Sequence, residues 1–262
     1  MRDAIPHFKF TMIQRQTLLT ELDRLLQPER FKDYCPNGLQ VEGAPTVRKI
    51  ATGVTASLAF IEAAIAAQAD TLLVHHGLIW RGQNGCITGW MRQRLALLLQ
   101  HNINLFAYHL PLDAHPELGN NAQLGVELGL VAEGRFGENQ LGFIGKPAKG
   151  AFQDSHALAA HIESVLGRTV TCVAGHSGPL EHIGWCTGGA QGYFESAIAA
   201  GVDVFITGEI SEPQAHYARE CGVSYLACGH HATECYGAPA VGKHIADRLG
   251  LDHVFINIDN PA

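Results

Sequence analysis

A pattern that occurs twice constrains this chain most. Ala51-Thr52-Gly53, followed by Ala63-Ala64-Ile65-Ala66-Ala67 and Asp70, is answered by Cys186-Thr187-Gly188, then Ala197-Ile198-Ala199-Ala200 and Asp203. After each aspartate comes a short apolar run, at 72–74 in the first copy and 204–207 in the second, and later another, at 103–108 and 223–228. Such runs, separated by helix-length segments, read as a duplicated strand–helix–strand–helix–strand unit. The expected fold is therefore α/β, with two similar lobes. Residues 11–130 form the first lobe and 183–262 the second. Between them, at 131–182, the texture changes to short apolar pieces around one helix, which reads as a small inserted α+β module.

Further elements follow from local signals. Leucines 18, 19, 22, 25 and 26 recur at threes and fours until Pro28 closes the helix, and residues 1–10 read as a loose lead-in. Residues 49–54 read as the first buried strand, and Ser57 as the N-cap of a helix reaching 68. Helices are expected at 91–101, from Asn120 or Asn121 to 128, at 155–166 and at 238–249, with a last strand at 254–258.

The chemistry gathers just after predicted strands. His75-His76-Gly77 ends the run 71–74, His109-Leu110-Pro111-Leu112-Asp113 follows 103–108, and His230-His231-Ala232-Thr233-Glu234 follows 223–228. In the last two a carboxylate stands four residues after a histidine. Open α/β sheets bind ligands at the carboxyl ends of their strands. The metal site is accordingly expected in the cleft between the lobes, on His75, His76, His109, Asp113, His230 and Glu234. Four imidazoles and two carboxylates exceed the needs of one tetrahedral ion and suit two ions sharing a bridge, with Glu234 the candidate bridging group. Nitrogen and oxygen donors without thiolate fit zinc, iron, manganese or nickel. Asn37, Glu209 and His231 are candidates for supporting positions around these ligands. The glycine-rich stretch 79–89, with Trp80, Arg81 and Gln83, reads either as a flap over the crevice or as an ordinary surface connection. His156, His161, His176 and His182 lack mutual ligand spacing and read as surface or structural residues.

Composition narrows the partners. The chain has 262 residues, 47% hydrophobic and only 16% charged, with a formal net charge of −7. Scattered lysines and arginines disfavour nucleic acid, because phosphate contacts need clustered cations. Seven cysteines without C-x-x-C spacing read as free thiols in a reducing compartment, and no apolar run has the length of a membrane span. The expectation is a cytoplasmic protein.

Pro36-Asn37-Gly38-Leu39-Gln40-Val41-Glu42-Gly43, Gly53-Val54-Thr55, Val74-His75-His76-Gly77, His109-Leu110-Pro111-Leu112-Asp113 and Gly229-His230-His231-Ala232-Thr233-Glu234 together resemble the Nif-three-like family. That family is often labelled "GTP cyclohydrolase 1 type 2 homologue", and the chain looks most similar to its bacterial YbgI-type members. The resemblance runs from about Leu18 to Asn260-Pro261-Ala262. It implies two divalent metal ions per chain, ligated by His75, His76, Asp113, His230 and Glu234 with His109 beside them or coordinating, and a ring-shaped homohexamer of dimers or trimers. The function expected from residues and resemblance together is a metal-dependent hydrolase, cyclohydrolase-like by label, using a metal-bridging hydroxide on a small polar substrate. The alternative is a non-catalytic ring-shaped metal-binding scaffold, chaperone or sensor, in one variant associated with DNA repair.

Overall fold

The computed structural model describes residues 12–262, so the lead-in expected over residues 1–10 lies outside the described residues. The chain divides into two compact units. Of the described residues, the first takes 12–28, Tyr34–Tyr108 and Val241–Ile256; the second takes Glu29–Asp33, His109–Ala240 and Asn257–Ala262.

In the first unit a short strand β1 (Ile13–Gln14) leads into helix α1 (Arg15–Leu26), which buries Leu18, Leu22 and Leu26 at a spacing of four. Gln27 ends it in the left-handed conformation, directly before Pro28. Then come β2 (Gly38–Val41), β3 (Thr46–Val47) and β4 (Lys49–Thr55). Helix α2 (Leu58–Ala66) is capped by the Ser57 hydroxyl, which accepts from the Phe60 amide at 3.2 Å, a contact worth about 1 kcal/mol. Strand β5 (Thr71–His76), helix α3 (Gly89–Gln100) and strand β6 (Asn104–Ala107) complete this part.

The second unit opens with helices α4 (Leu110–Ala114) and α5 (Asn120–Glu127), strands β7 (Leu130–Phe136) and β8 (Gly142–Pro147), helix α6 (Ser155–Leu166) and strand β9 (Thr171–Val173). It continues through β10 (Ile183–Trp185), α7 (Phe194–Ala199), β11 (Val204–Thr207), α8 (Glu212–Cys221), β12 (Ser224–Ala227) and the single turn α9 (His230–Thr233). Helix α10 (Gly237–Leu249) begins among the second unit's residues and ends among the first's, and strand β13 (Asp252–Phe255) follows.

The first unit's main sheet has the order β13-β4-β5-β6-β2, parallel except for β2. Its strand β5 is buried from Thr71 to His75, the continuous run expected of a parallel strand covered on both faces. The second unit's sheet has the order β7-β8-β10-β11-β12-β9, with β10, β11 and β12 parallel and the outer strands antiparallel. Alternation along β11 serves two cores. Val204 and Ile206 pack with Leu124, Leu158, Ile162 and Trp185, whereas Phe205 packs with Phe194, Ala218 and Tyr225.

Each unit thus contains a parallel triplet entered the same way. In the first, Ile50, Thr71 and Asn104 stand in register across β4, β5 and β6. The Asp70 carboxylate there accepts from the Arg48 amide at 3.0 Å and the Lys49 amide at 3.3 Å, and its carbonyl accepts from the Asn104 amide. In the second, Ile183, Val204 and Ser224 stand in register. There the Asp203 carboxylate accepts from the Glu181 and His182 amides at 2.8 Å, and its carbonyl accepts from the Ser224 amide.

Several expectations differ from this arrangement. The segment 131–182, expected as a small inserted α+β module, lends its strands to the sheet of β10–β12, with β7 and β8 on one side and β9 on the other. The last strand lies not with residues 183–262 but beside β4 in the first unit's sheet. An apolar run identifies a strand without naming the edge it will pair with, and both differences arise there. The match of Thr52-Gly53 to Thr187-Gly188 is two residues out of strand register, since Ile50 and Ile183 are the equivalent positions. Neither Asn120 nor Asn121 caps α5; Gly119 does, and both amides are buried and used elsewhere.

Candidate metal centre

In the first unit β5 carries two imidazoles at its carboxyl end, His75 and His76, both still within the strand. His75 is fully buried, with Nδ1 3.1 Å from the Tyr108 carbonyl. His76 is half-buried, with Nδ1 3.2 Å from the Thr55 hydroxyl at the end of β4. The two ring centroids lie 4.5 Å apart. A carbonyl only accepts, so Nδ1 of His75 carries a proton.

The second unit holds the remaining candidates. His109 stands at the N-cap of α4, its Nδ1 2.7 Å from Asp33 Oδ1, while Asp33 Oδ2 accepts from the Leu110 amide at 2.9 Å. Pro111 sits in the first turn of α4, where a missing amide proton costs nothing. The turn brings Asp113 round to a buried position in which Oδ1 accepts from Asn120 Nδ2 at 2.9 Å and from the Thr187 hydroxyl at 3.3 Å. Asn121 adds two bonds: it donates to the Asp113 carbonyl, and its Oδ1 accepts from the Thr187 amide.

His230 opens α9 and Glu234 closes it. Nδ1 of His230 lies 2.6 Å from Glu209 Oε1, and its Nε2 lies 3.2 Å from Glu234 Oε2. Glu234, chiefly, with Glu209 behind it, pushes the His230 pKa up to about 9 against the opposing effect of burial. The carboxylate of Glu234 has room because residue 188 is glycine. With φ at +69° and a notional Cβ only 2.0 Å from Glu234 Oε1, a side chain there would be strained and would displace that carboxylate. The Thr233 hydroxyl accepts from the Gly188 amide at 3.0 Å and so ties α9 to the end of β10.

Several His, Asp and Glu groups among the described residues bring donor atoms close enough to hold a metal ion. The donor chemistry also fits. Histidines that ligate metals almost always give their second ring nitrogen to an oxygen acceptor, which fixes ring and tautomer. All four candidate histidines have Nδ1 against a protein oxygen: the Tyr108 carbonyl, the Thr55 hydroxyl, Asp33 and Glu209.

Of the supporting candidates, Glu209 stands against His230. His231 instead directs Nε2 to Asn257 Oδ1 at 3.0 Å and so helps to hold residues 257–262. Asn37 is half-buried immediately before β2. The sequence reading missed Asp33, Thr55, Asn120, Asn121 and Thr187. Asp33 is 76 residues from His109, so no spacing rule reaches it. Asn120 stands seven residues after Asp113, where the sequence signals a helix cap rather than a partner for that carboxylate. His161 has Nε2 3.0 Å from the Leu128 carbonyl, and His176 and His182 flank Asp203, in keeping with structural roles.

Fold and donors together define a class: a mixed α/β protein carrying histidine–carboxylate groups suited to metal. The chain belongs to the Duf34/NIF3 (NGG1p interacting factor 3) family, whose description matches residues 13–261. It is 50% identical over 257 residues to the "GTP cyclohydrolase 1 type 2 homolog" of Pseudomonas aeruginosa, covering 95% of this chain and 99% of that one. Among solved structures it is similar to the protein ybgI, itself described as of unknown function, with a TM-score of 0.91, 44% identity and coverage of 95% and 100%. It is also similar to TTHA1606 of Thermus thermophilus, with a TM-score of 0.84, 34% identity and the same coverage. No helix among the described residues is long and apolar enough to cross a membrane.

Proposed function

We propose that the protein binds two divalent metal ions on His75, His76, His109, Asp113, His230 and Glu234 and hydrolyses a small polar substrate with their help. The observation that carries this reading is the common treatment of the four histidines, each with Nδ1 against a protein oxygen, as metal-ligating histidines almost always have. Zinc, iron, manganese and nickel suit such donors. When bound, a pair of such ions supplies Lewis acidity and lowers the pKa of water at neutral pH.

The chain's own residues do the rest. Asp33 and Glu209 orient His109 and His230, and Asn120 and Thr187 hold Asp113 by one oxygen. Glu234, with two oxygens and a glycine opposite, is our choice for the bridging carboxylate. We read the two parallel triplets as copies of one duplicated lobe. The equivalent duties of Asp70 and Asp203 support this. The assembly we propose is the homohexamer implied by the family resemblance, and light scattering that gave a 28.2 kDa species would refute it.

Metal content of purified variants tests the site. His76→Ala and Asp113→Ala should each lose metal, whereas His161→Ala should keep it; equal content in all three would remove the assignment. Screening on nucleotides, cyclic amides and phosphoesters, with and without chelator, tests the chemistry. Metal-dependent stability without turnover on any of them would favour the metal-binding scaffold.

A further inference from the structure

The first unit contains a cleft of about 550 Å³, within the range of roughly 300–1,000 Å³ usual for small-molecule sites. One wall is the loop after β5, with Ile79 and Trp80; the other comes from Ile87 and the start of α3, with Trp90, Met91 and Leu95. None of the residues lining it carries a formal charge. Two of the chain's three tryptophans stand in this one cleft. Ile87 and Trp90 remain 60% and 54% exposed, which is apolar surface of the kind that marks binding sites when it lines a concavity.

The Trp80 wall is built rather than loose. The indole Nε1 donates to the Gly77 carbonyl at 3.2 Å, and the Trp80 amide donates to Gln83 Oε1 at 3.1 Å. Gln40 of β2 holds the same loop, its Oε1 accepting from the Leu78 amide at 2.8 Å while its Nε2 donates to the Pro36 carbonyl at 2.9 Å. On the other side the Arg94 guanidinium lies over the Trp90 ring, 4.8 Å from its centroid. Trp80 is also a neighbour of the candidate metal centre. Its ring centroid lies 5.8 Å from that of His76.

We infer that this cleft binds a neutral, planar heteroaromatic ring of about purine size, stacked on the indoles of Trp80 and Trp90. Indole faces favour flat rings over aliphatic ones of equal area, and an uncharged lining excludes a bare phosphate or carboxylate. A group attached to the ring at the Trp80 end would extend toward His76, so the cleft is the specificity subsite of the substrate. That last step, but not the binding itself, rests on the metal-hydrolase reading above.

Calorimetric titration of the metal-free protein, prepared with EDTA, tests the binding. Adenosine, guanosine and indole should bind saturably, and ribose and cyclohexanol should not. Trp90→Ala should weaken adenosine binding about 5- to 150-fold, the usual range for removing one stacking partner. Ile87→Glu, at another exposed wall position, should weaken it too, whereas Leu99→Ala, exposed on α3 away from the cleft, should leave it unchanged. His76→Ala should still bind adenosine while losing metal, so the two readings fail separately. The inference is overturned if no aromatic probe binds saturably, if cyclohexanol binds as well as indole, or if both wall variants bind like the parent. It is equally overturned if protein self-association displaces the probes, which would make the cleft a contact between copies.

Discussion

The middle strands of the two parallel triplets end differently, and the difference separates two ways of placing a ligand. β5 ends in His75-His76, so the strand itself presents imidazoles, each steadied by a neighbouring strand end. β11 ends just before Gly208-Glu209, at the equivalent positions, and presents no imidazole. Gly208 instead leaves space: a Cβ there would meet the Gly188 carbonyl and the His230 Cα at 2.6 Å. The α9 turn can therefore close on the strand ends, and Glu209 orients the histidine that α9 carries. A strand end holds its side chains by sheet register. A four-residue helical turn has too few internal bonds to hold its own and relies on the strand ends beneath it.

The largest effect should come from that reliance. Gly188→Val would place a side chain at positive φ and against Glu234, so we expect loss of both metal and several kcal/mol of stability, on the order of 2–4. Chemical denaturation and metal analysis check this; a variant as stable and as metal-rich as the parent would mean that α9 is held by other contacts. Glu234→Gln keeps the volume and removes the charge. If Glu234 is the bridge, both ions should lose occupancy together, and loss of one ion per chain would make it a terminal ligand.

Removing the orienting groups should cost less and sharpen the contrast. Glu209→Gln should weaken metal binding about 10- to 100-fold, as expected when the acceptor behind a ligating histidine is altered. Thr55→Val removes the partner of His76 but leaves β5 in register, so its effect should be the smaller of the two. Competition titrations with a chromogenic chelator would rank them, and the reverse ranking would refute the distinction between strand-held and turn-held ligands.

The smallest effect is a pH dependence confined to the α9 pair in the metal-free chain. His230 titrates at about 9 when folded, above its ordinary 6.5, because Glu234 and Glu209 favour the imidazolium. A pKa raised by folding stabilises the fold fully below about 6.5, and that contribution disappears as pH rises through 9. Discounted for partial exposure, it is on the order of 1–2 kcal/mol. Thermal melts of the EDTA-treated protein should show this loss between pH 6.5 and 9, and Glu234→Gln should flatten it. Metal binding should strengthen over the same interval, since the proton leaves the nitrogen that the ion needs.

What was legible in the sequence was local. The buried leucines of α1, the Ser57 cap, the β5 run and α6 all follow from periodicity, capping chemistry and apolar runs acting over a few residues. The candidate ligands were legible for the same reason, because His109 and Asp113, or His230 and Glu234, lie one helical turn apart and strand ends are where α/β proteins present side chains. Tertiary structure alone decided that β7, β8 and β9 join the second sheet, that β13 returns to β4, and that Asp33, Thr55, Thr187 and Asn120 stand behind the candidate ligands. Those choices depend on which strand edge lacks a partner and which buried polar atom lacks one. A chain can meet such needs with residues any distance away in sequence, so no local pattern records the answer.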